Sequence, residues 1–373
     1  MKIINLVLNN FTNDSRVLKT TKSLQKINHE VLVVALHEEG LDEFETIKGV
    51  DVHRIKLTSR SWSKNKLIQA VKLTEFIVRF ISNYREYEVL HCNDLDGLLV
   101  GVICKFTRWK IKLVYDSHEF AINDVPYQSA HSIKIKYYLE KSLIRFADQV
   151  ICVSDSIANE YANLYKIPKP HLVLNCPNYT EQPKHNMFRE SLGIREDQKI
   201  FLYQGGLNKG RGIELLLEAF EGLENDNNVL VCMGYGILEG KIQKKSLSSK
   251  NIFFHKAVSP SILLNYTSSA DYGISFIEDS CLSYRYCLPN KLFEYMMGGL
   301  PILTSNLPEM KHLVENESVG IVAKENTVEG FKCAVESSLK QKYAEIRANV
   351  YVARKKYCWE EQERVLFKVY ENV

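Results

Sequence analysis

The chain has 373 residues, of which 45% are hydrophobic and 25% charged, with a formal net charge of +3. That length exceeds what one core usually supports, so two domains of similar size are expected. The charge is small and no basic run interleaves with aromatics on a predicted sheet, which argues against a nucleic-acid binder.

The first residues, MKIINLVLNN, run straight into a strand pattern without the basic flank, long apolar core and cleavage site of a signal peptide, so a cytosolic protein is expected. Strand patterns then recur at 3–9, 30–36, 51–57, 87–92, 111–116 and 148–154, most of them separated by segments at helical spacing. Parallel strands need such long crossovers, so the first half reads as a doubly wound α/β sheet. In the loop after the first strand, NFTNDSRV, the side chains of Asn13, Asp14 and Arg16 could line a cleft. Asp14 or Ser15 would serve equally as a helix N-cap.

Two stretches, 59–87 and 131–147, are basic and aromatic. The first holds Arg60, Lys64, Lys66, Lys72, Arg79 and Arg85 against Glu75 and Glu86, with Trp62, Phe76, Ile77 and Phe80 as apolar mass. After NCPN (175–178) and the polar YTEQPKHN, the alternation starts again with strands expected at 199–205, 228–234, 251–256, 272–277, 300–305 and 319–323. A first domain at 1–178, a second at 179–352 and a C-terminal helix at 353–373 follow. No apolar run approaches the roughly 20 residues needed to span a membrane. The nine cysteines show no C-x-x-C pair or His-Cys cluster and suit buried free thiols in a reducing compartment.

Two segments of the second half carry chemistry. Strand 199–205 runs into GGLNKGRG, where Gly205, Gly206, Gly210 and Gly212 let backbone approach a ligand and Lys209 and Arg211 add positive charge. LPNKLFEYMMGGLPILTS (288–305) reads as a helix opening on Pro289 and ending on Gly298 and Gly299, with Leu292, Phe293 and Met296 on its apolar face. That leaves Lys291 and Glu294 at a helix start, where the unpaired N–H groups favour an anion.

Together YQGGLNKGRG, MGYG (233–236), LPNKLFEYMMGGLPILTS and CWEEQ…VY resemble a family 4 glycosyltransferase, and VYDSHE, ADQVICVS and LNCPN in the first half agree with it. The resemblance implies the GT-B fold, two Rossmann-like doubly wound parallel-sheet domains facing a central cleft. It also implies transfer of a sugar from a nucleotide-sugar to an acceptor hydroxyl with retention of configuration, without a metal ion or other cofactor.

The resemblance puts Arg211 at the family's diphosphate-binding lysine and Glu294 at the glutamate that accepts from the ribose hydroxyls. Gly205, Gly206, Lys209, Gly234, Val258, Tyr286, Asn290 and Lys291 fall at further donor-binding positions. His118 matches the histidine that contacts a donor-sugar hydroxyl, and Glu119 beside it is a candidate acid or base. Two positions depart from the family. Gly206 stands where the family has a phosphate arginine, which Lys209 or Lys291 would replace, and Tyr286 stands where it has a glutamate.

Asp94-Leu95-Asp96 spells the D-x-D with which another glycosyltransferase fold holds a divalent metal, although helix capping explains it as well. The resemblance implies that the first domain binds the acceptor, a glycan or lipid-linked glycan. Its basic amphipathic segments suit docking on an anionic membrane at the inner face of the cell membrane. The alternatives are a sugar-nucleotide epimerase of the same fold and a degenerate transferase serving as a partner subunit.

Overall fold

The computed structural model describes all residues except 13, 64, 109 and 224–226, so the expectations for Asn13 and Lys64 lie outside the described residues. By contacts the chain divides into two units. One comprises Met1–Ile122, Gln128–Val173 and Glu363–Val373, and the other Asn123–Tyr127 and Leu174–Gln362.

The first unit holds an eight-stranded sheet in the order β3-β4-β2-β1-β5-β6-β7-β8. Its strands are β1 (Lys2–Leu6), β2 (Glu30–Leu36), β3 (Phe44–Ile47), β4 (Val50–Ile55), β5 (Val89–Asn93), β6 (Lys112–Ser117), β7 (Gln149–Cys152) and β8 (His171–Leu172). All neighbours pair in parallel except β3 and β4, a hairpin. Its turn residues Lys48 and Gly49 both have positive φ, 51° and 83°, the twist that lets a two-residue loop close a hairpin. Helices cover the sheet, so the central strands are buried apolar runs such as Val33, Val34 and Ala35. The C-terminal residues dock through Tyr370, whose hydroxyl lies 2.8 Å from His91 Nδ1, and through Glu363, which pairs with Lys26 at 2.8 Å.

The basic segment 59–87 divides differently from its sequence expectation. In the helix Lys66–Asn83, the side chains of Phe76, Ile77 and Phe80 turn into the core, while Leu67, Val71 and Val78 are exposed, as is Trp62 just before it. Lys72 is also buried, donating to the carbonyls of Arg60 (3.0 Å) and Trp62 (2.8 Å).

The second unit holds a fully parallel six-stranded sheet in the order β11-β10-β9-β12-β13-β14. Its strands are β9 (Lys199–Gly206), β10 (Asn228–Tyr235), β11 (Ile252–Lys256), β12 (Tyr272–Ser275), β13 (Ile302–Thr304) and β14 (Gly320–Val322). The core is built on Phe201, Tyr203, Leu216, Phe220, Leu230 and Phe276. The helix expected at the Pro289 segment spans Asn290–Met297, with Pro289 as its N-cap residue, one position earlier than a first-turn proline. Close packing sets its depth. A Cβ on Gly273 of β12 would lie 2.2 Å from Tyr295 Cγ, so only glycine lets the Tyr295 ring pack this close to the strand.

Candidate active site

The site of the second unit starts at the carboxyl end of β9, at the centre of the sheet and outside the strand ends where open α/β sheets bind ligands. Here the chain turns through Leu207–Gly212 into the helix Ile213–Glu221. Gly212, at φ +68°, is the N-cap residue, and a Cβ there would sit 2.2 Å from the Phe276 carbonyl oxygen. Glycine is therefore required both by conformation and by space.

Lys291, in the first turn of the helix Asn290–Met297, lays its ammonium over the Tyr203 ring, 3.6 Å from the centroid. The same nitrogen lies 3.8 Å from where a Gly205 side chain would begin. Lys291 is only 9% exposed. Burial, and then the charge of Arg211, lower its pKa from 10.5 to about 7, against the opposing pull of Glu294. Arg211 places its guanidinium over the Tyr284 ring at 4.5 Å. Both basic groups thus rest on aromatic faces, which favour their charged forms.

One turn after Lys291, Glu294 accepts a hydrogen bond from Gln204 Nε2 at 2.5 Å. Through β9 and this helix, the structure brings Gly205, Lys291, Glu294 and Arg211 into one neighbourhood. Gly206 is exposed, and its carbonyl accepts from the Tyr203 hydroxyl at 2.9 Å. Lys209 and Asn290 are exposed, while Tyr286, just past the short helix Leu282–Arg285, is half-buried. Gly234 is the penultimate residue of β10, packed so closely on β9 that a Cβ would lie 1.9 Å from the Gly205 carbonyl oxygen. Val258 is half-buried beyond β11.

In the first unit, His118 follows β6. Its Nε2 lies 3.0 Å from Asn93 Oδ1, its backbone N–H donates to Asp94 Oδ1 at 3.2 Å, and its ring nitrogens lie 3.6 Å from Asp94 and 3.7 Å from Asp116. Burial pulls its pKa down, but the two carboxylates outweigh burial and raise it. Glu119 is exposed, and its backbone carbonyl accepts from the Ser117 hydroxyl at 2.7 Å.

The loop after β1 needs correction. Arg16 lines no cleft: it is 3% exposed and holds Asp116 in a two-pronged ion pair at 2.9 and 2.7 Å, with a third bond of 2.8 Å to the Val173 carbonyl. Burial pushes Asp116 up, but Arg16, then His118 and His91, hold its carboxyl well below the usual range. Asp14 caps the helix Ser15–Lys26, accepting from the Val17 N–H. Asp94 and Asp96 lie in the first turn of the helix Asp94–Thr107, and the Asp94 carboxylate serves the His118 N–H. Among the described residues no group of three or more His, Cys, Asp or Glu side chains converges on a metal position.

Sequence reasoning passed over Gln204. Its signal was a lone amide directly after the apolar run IFLY, near the end of a central strand.

Comparison with known proteins accords with this geometry. The model of Glycosyltransferase Family 4 matches residues 15–177, and that of Glycosyl transferases group 1 matches 185–356. An uncharacterized glycosyltransferase of Methanocaldococcus jannaschii is 26% identical over 318 residues, covering 80% of this chain and 78% of that protein. The chitobiosyldiphosphodolichol beta-mannosyltransferase of Candida albicans is 25% identical over 60% of this chain and 54% of its own length. The fold matches sucrose-phosphate synthase from Thermosynechococcus elongatus with a TM-score of 0.81 at 17% identity, over 100% of this chain and 98% of that one. It also matches Anabaena HepE in complex with UDP-glucose, with a TM-score of 0.77 at 15% identity over 100% of both chains. The chain belongs to the family 4 glycosyltransferases and has their GT-B fold of two parallel-sheet α/β domains.

Proposed function

We propose that this glycosyltransferase moves a sugar from a nucleotide-sugar to an acceptor hydroxyl with retention, in the synthesis of a surface polysaccharide or lipid-linked glycan. The observation that carries this reading is the pair of cations at a glycine-opened strand end, Lys291 over Tyr203 beside Gly205 and Arg211 over Tyr284. A leaving diphosphate gains charge as the glycosidic bond breaks, and preorganised cations with helix N–H groups stabilise it without a metal. Glu294 then accepts from both hydroxyls of the ribose cis-diol. The leaving phosphate takes the acceptor proton in a front-face attack, so no protein nucleophile is needed. In the first unit, His118 offers an imidazole to a sugar hydroxyl.

The support from relatives is in their names: the Candida protein is a mannosyltransferase named for a dolichol-linked chitobiosyl diphosphate, and the Anabaena structure holds UDP-glucose. We extend the reading to an anionic membrane as the docking surface of the first unit. The exposed Trp62, Leu67, Val71 and Val78 would insert, and the exposed Lys134, Lys141 and Arg145 would meet lipid phosphates. No described helix is long and apolar enough to cross a membrane.

Incubation with UDP-, GDP- and ADP-sugars and isolated membrane lipids tests the reading. Transfer with retained configuration, undiminished by EDTA, is expected. A changed sugar on the nucleotide without acceptor would identify an epimerase instead, and nucleotide binding without turnover a degenerate subunit. Glu294→Ala and Arg211→Ala should each weaken nucleotide binding with the fold intact, and unchanged affinity in both refutes the site assignment.

A further inference from the structure

Gln204 is a buried amide in a strand whose preceding residues, Ile200 to Tyr203, are fully buried and apolar or aromatic. An amide at 1% exposure is costly unless its polar atoms are bonded. Its Nε2 donates to Glu294 Oε2 at 2.5 Å, and its Oε1 accepts at 2.8 Å from the Thr267 hydroxyl, whose one proton it shares with the Leu263 carbonyl at 2.9 Å. Its backbone N–H donates to the Tyr295 hydroxyl at 3.1 Å, which in turn donates to the Ile274 carbonyl at 2.9 Å. A carboxylate has no proton to give, so the amide must turn its NH2 toward Glu294 and its oxygen toward the fully buried Thr267.

The scaffold holding this chain of bonds has little slack. A Cβ on Gly298 would stand 2.8 Å from Thr267 Cγ2, and one on Gly273 would strike the Tyr295 ring. The helix that carries Glu294 is thus seated against both Thr267 and the sheet.

We propose that Gln204, itself fixed by Thr267, is a positioning residue that pins the rotation of the Glu294 carboxylate, so that the site selects a nucleotide with an intact vicinal diol on its ribose. This rests on the reading that Glu294 receives the ribose hydroxyls. Without Gln204 the carboxylate turns about its last bond, and its preference for the diol falls while contacts to the diphosphate persist. A merely structural role would weaken all nucleotides alike.

Calorimetry of UDP, GDP and ADP against their 2′-deoxy forms, with the full chain, tests it. The variants are Gln204→Met, which keeps the length but cannot donate; Thr267→Val, which keeps the shape without the hydroxyl; and Glu294→Ala. For the ribonucleotide that binds, Gln204→Met should lose about tenfold in affinity, the scale of one hydrogen bond to a charged group. Its deoxynucleotide affinity should stay within about twofold, so the ribo-to-deoxy ratio falls toward that of Glu294→Ala. Thr267→Val should move the ratio the same way by a smaller factor, and it keeps the test in force should Gln204→Met not fold. A wild-type ratio in the folded Gln204 or Thr267 variants, beside a collapsed ratio in Glu294→Ala, overturns the inference and leaves the proposed function standing. An unchanged ratio in Glu294→Ala, or no binding of any of the three nucleotides by the unaltered protein, refutes the ribose reading and the inference with it.

Discussion

On the proposed reading of the site, Lys291 should make donor binding depend on pH, with a sign fixed by its surroundings. Burial first and then Arg211 lower its pKa to about 7, with Glu294 pulling the other way. A bound diphosphate favours the charged ammonium and returns the pKa toward its ordinary value. Above neutrality, binding therefore takes up a proton and weakens as pH rises. Between about pH 7 and 8.5 the protonated fraction of the free site falls from about one half to about 3%, so affinity drops roughly 15-fold, or about 1.6 kcal/mol. The assay is calorimetry with a sugar nucleotide, whose esterified phosphates do not titrate near neutrality, in buffers of different ionisation enthalpy. Near pH 8 close to one proton should be taken up per nucleotide. Lys291→Met should bind weakly and without pH dependence. Adding Gly206→Arg to that variant should restore part of the affinity with a flat profile, because arginine does not titrate in this range. The loop has room for it: Gly206 lies outside the left-handed region, and a Cβ there would meet only the side chain of the exposed Asn208, at 3.3 Å. Affinity that is constant over this range in the unaltered protein, or binding without proton uptake, refutes the reasoning.

Three further outcomes are expected. Gly273→Ala should lower the stability of the second unit by about 2 kcal/mol or more through overpacking against Tyr295, visible as an earlier urea transition and accompanied by loss of nucleotide affinity, since the helix carrying Lys291 and Glu294 is displaced. Arg16→Met leaves the Asp116 carboxylate buried without its main partner and should cost about 3–5 kcal/mol, while adding Asp116→Asn should recover part of it; additive losses in urea melts would show the two residues act separately. Replacing Leu67, Val71 and Val78 together with Ser should weaken sedimentation with vesicles rich in anionic lipid and leave nucleotide affinity unchanged; equal sedimentation would remove that face from membrane docking.

What the sequence revealed and what it hid divide along the range of the forces involved. All twelve expected strands lie where their apolar runs stand, because burial on both faces of a parallel sheet is written locally. The two that escaped are β3, joined by a Lys48-Gly49 turn in place of the usual Asn-Gly or Asp-Gly, and β8, only two residues long. Arg16 misled for the opposite reason: its partner Asp116 lies a hundred positions away, so nothing in NFTNDSRV distinguishes a ligand-facing arginine from a buried one. Lys291 was legible as a charge at a helix start but not as a buried charge, because its burial depends on Tyr203 of β9 and on a helix pressed down by Gly273. The same packing bears on the absence of an arginine at Gly206, if Lys291 is its substitute. A helix held that close to the sheet brings the Lys291 ammonium to within 3.8 Å of where a Gly205 side chain would begin. On the proposed reading, the departure at Gly206 and the lysine at 291 are one arrangement, in which the charge offered to a diphosphate moves from a permanently ionised side chain to one whose proton the ligand itself would help to hold.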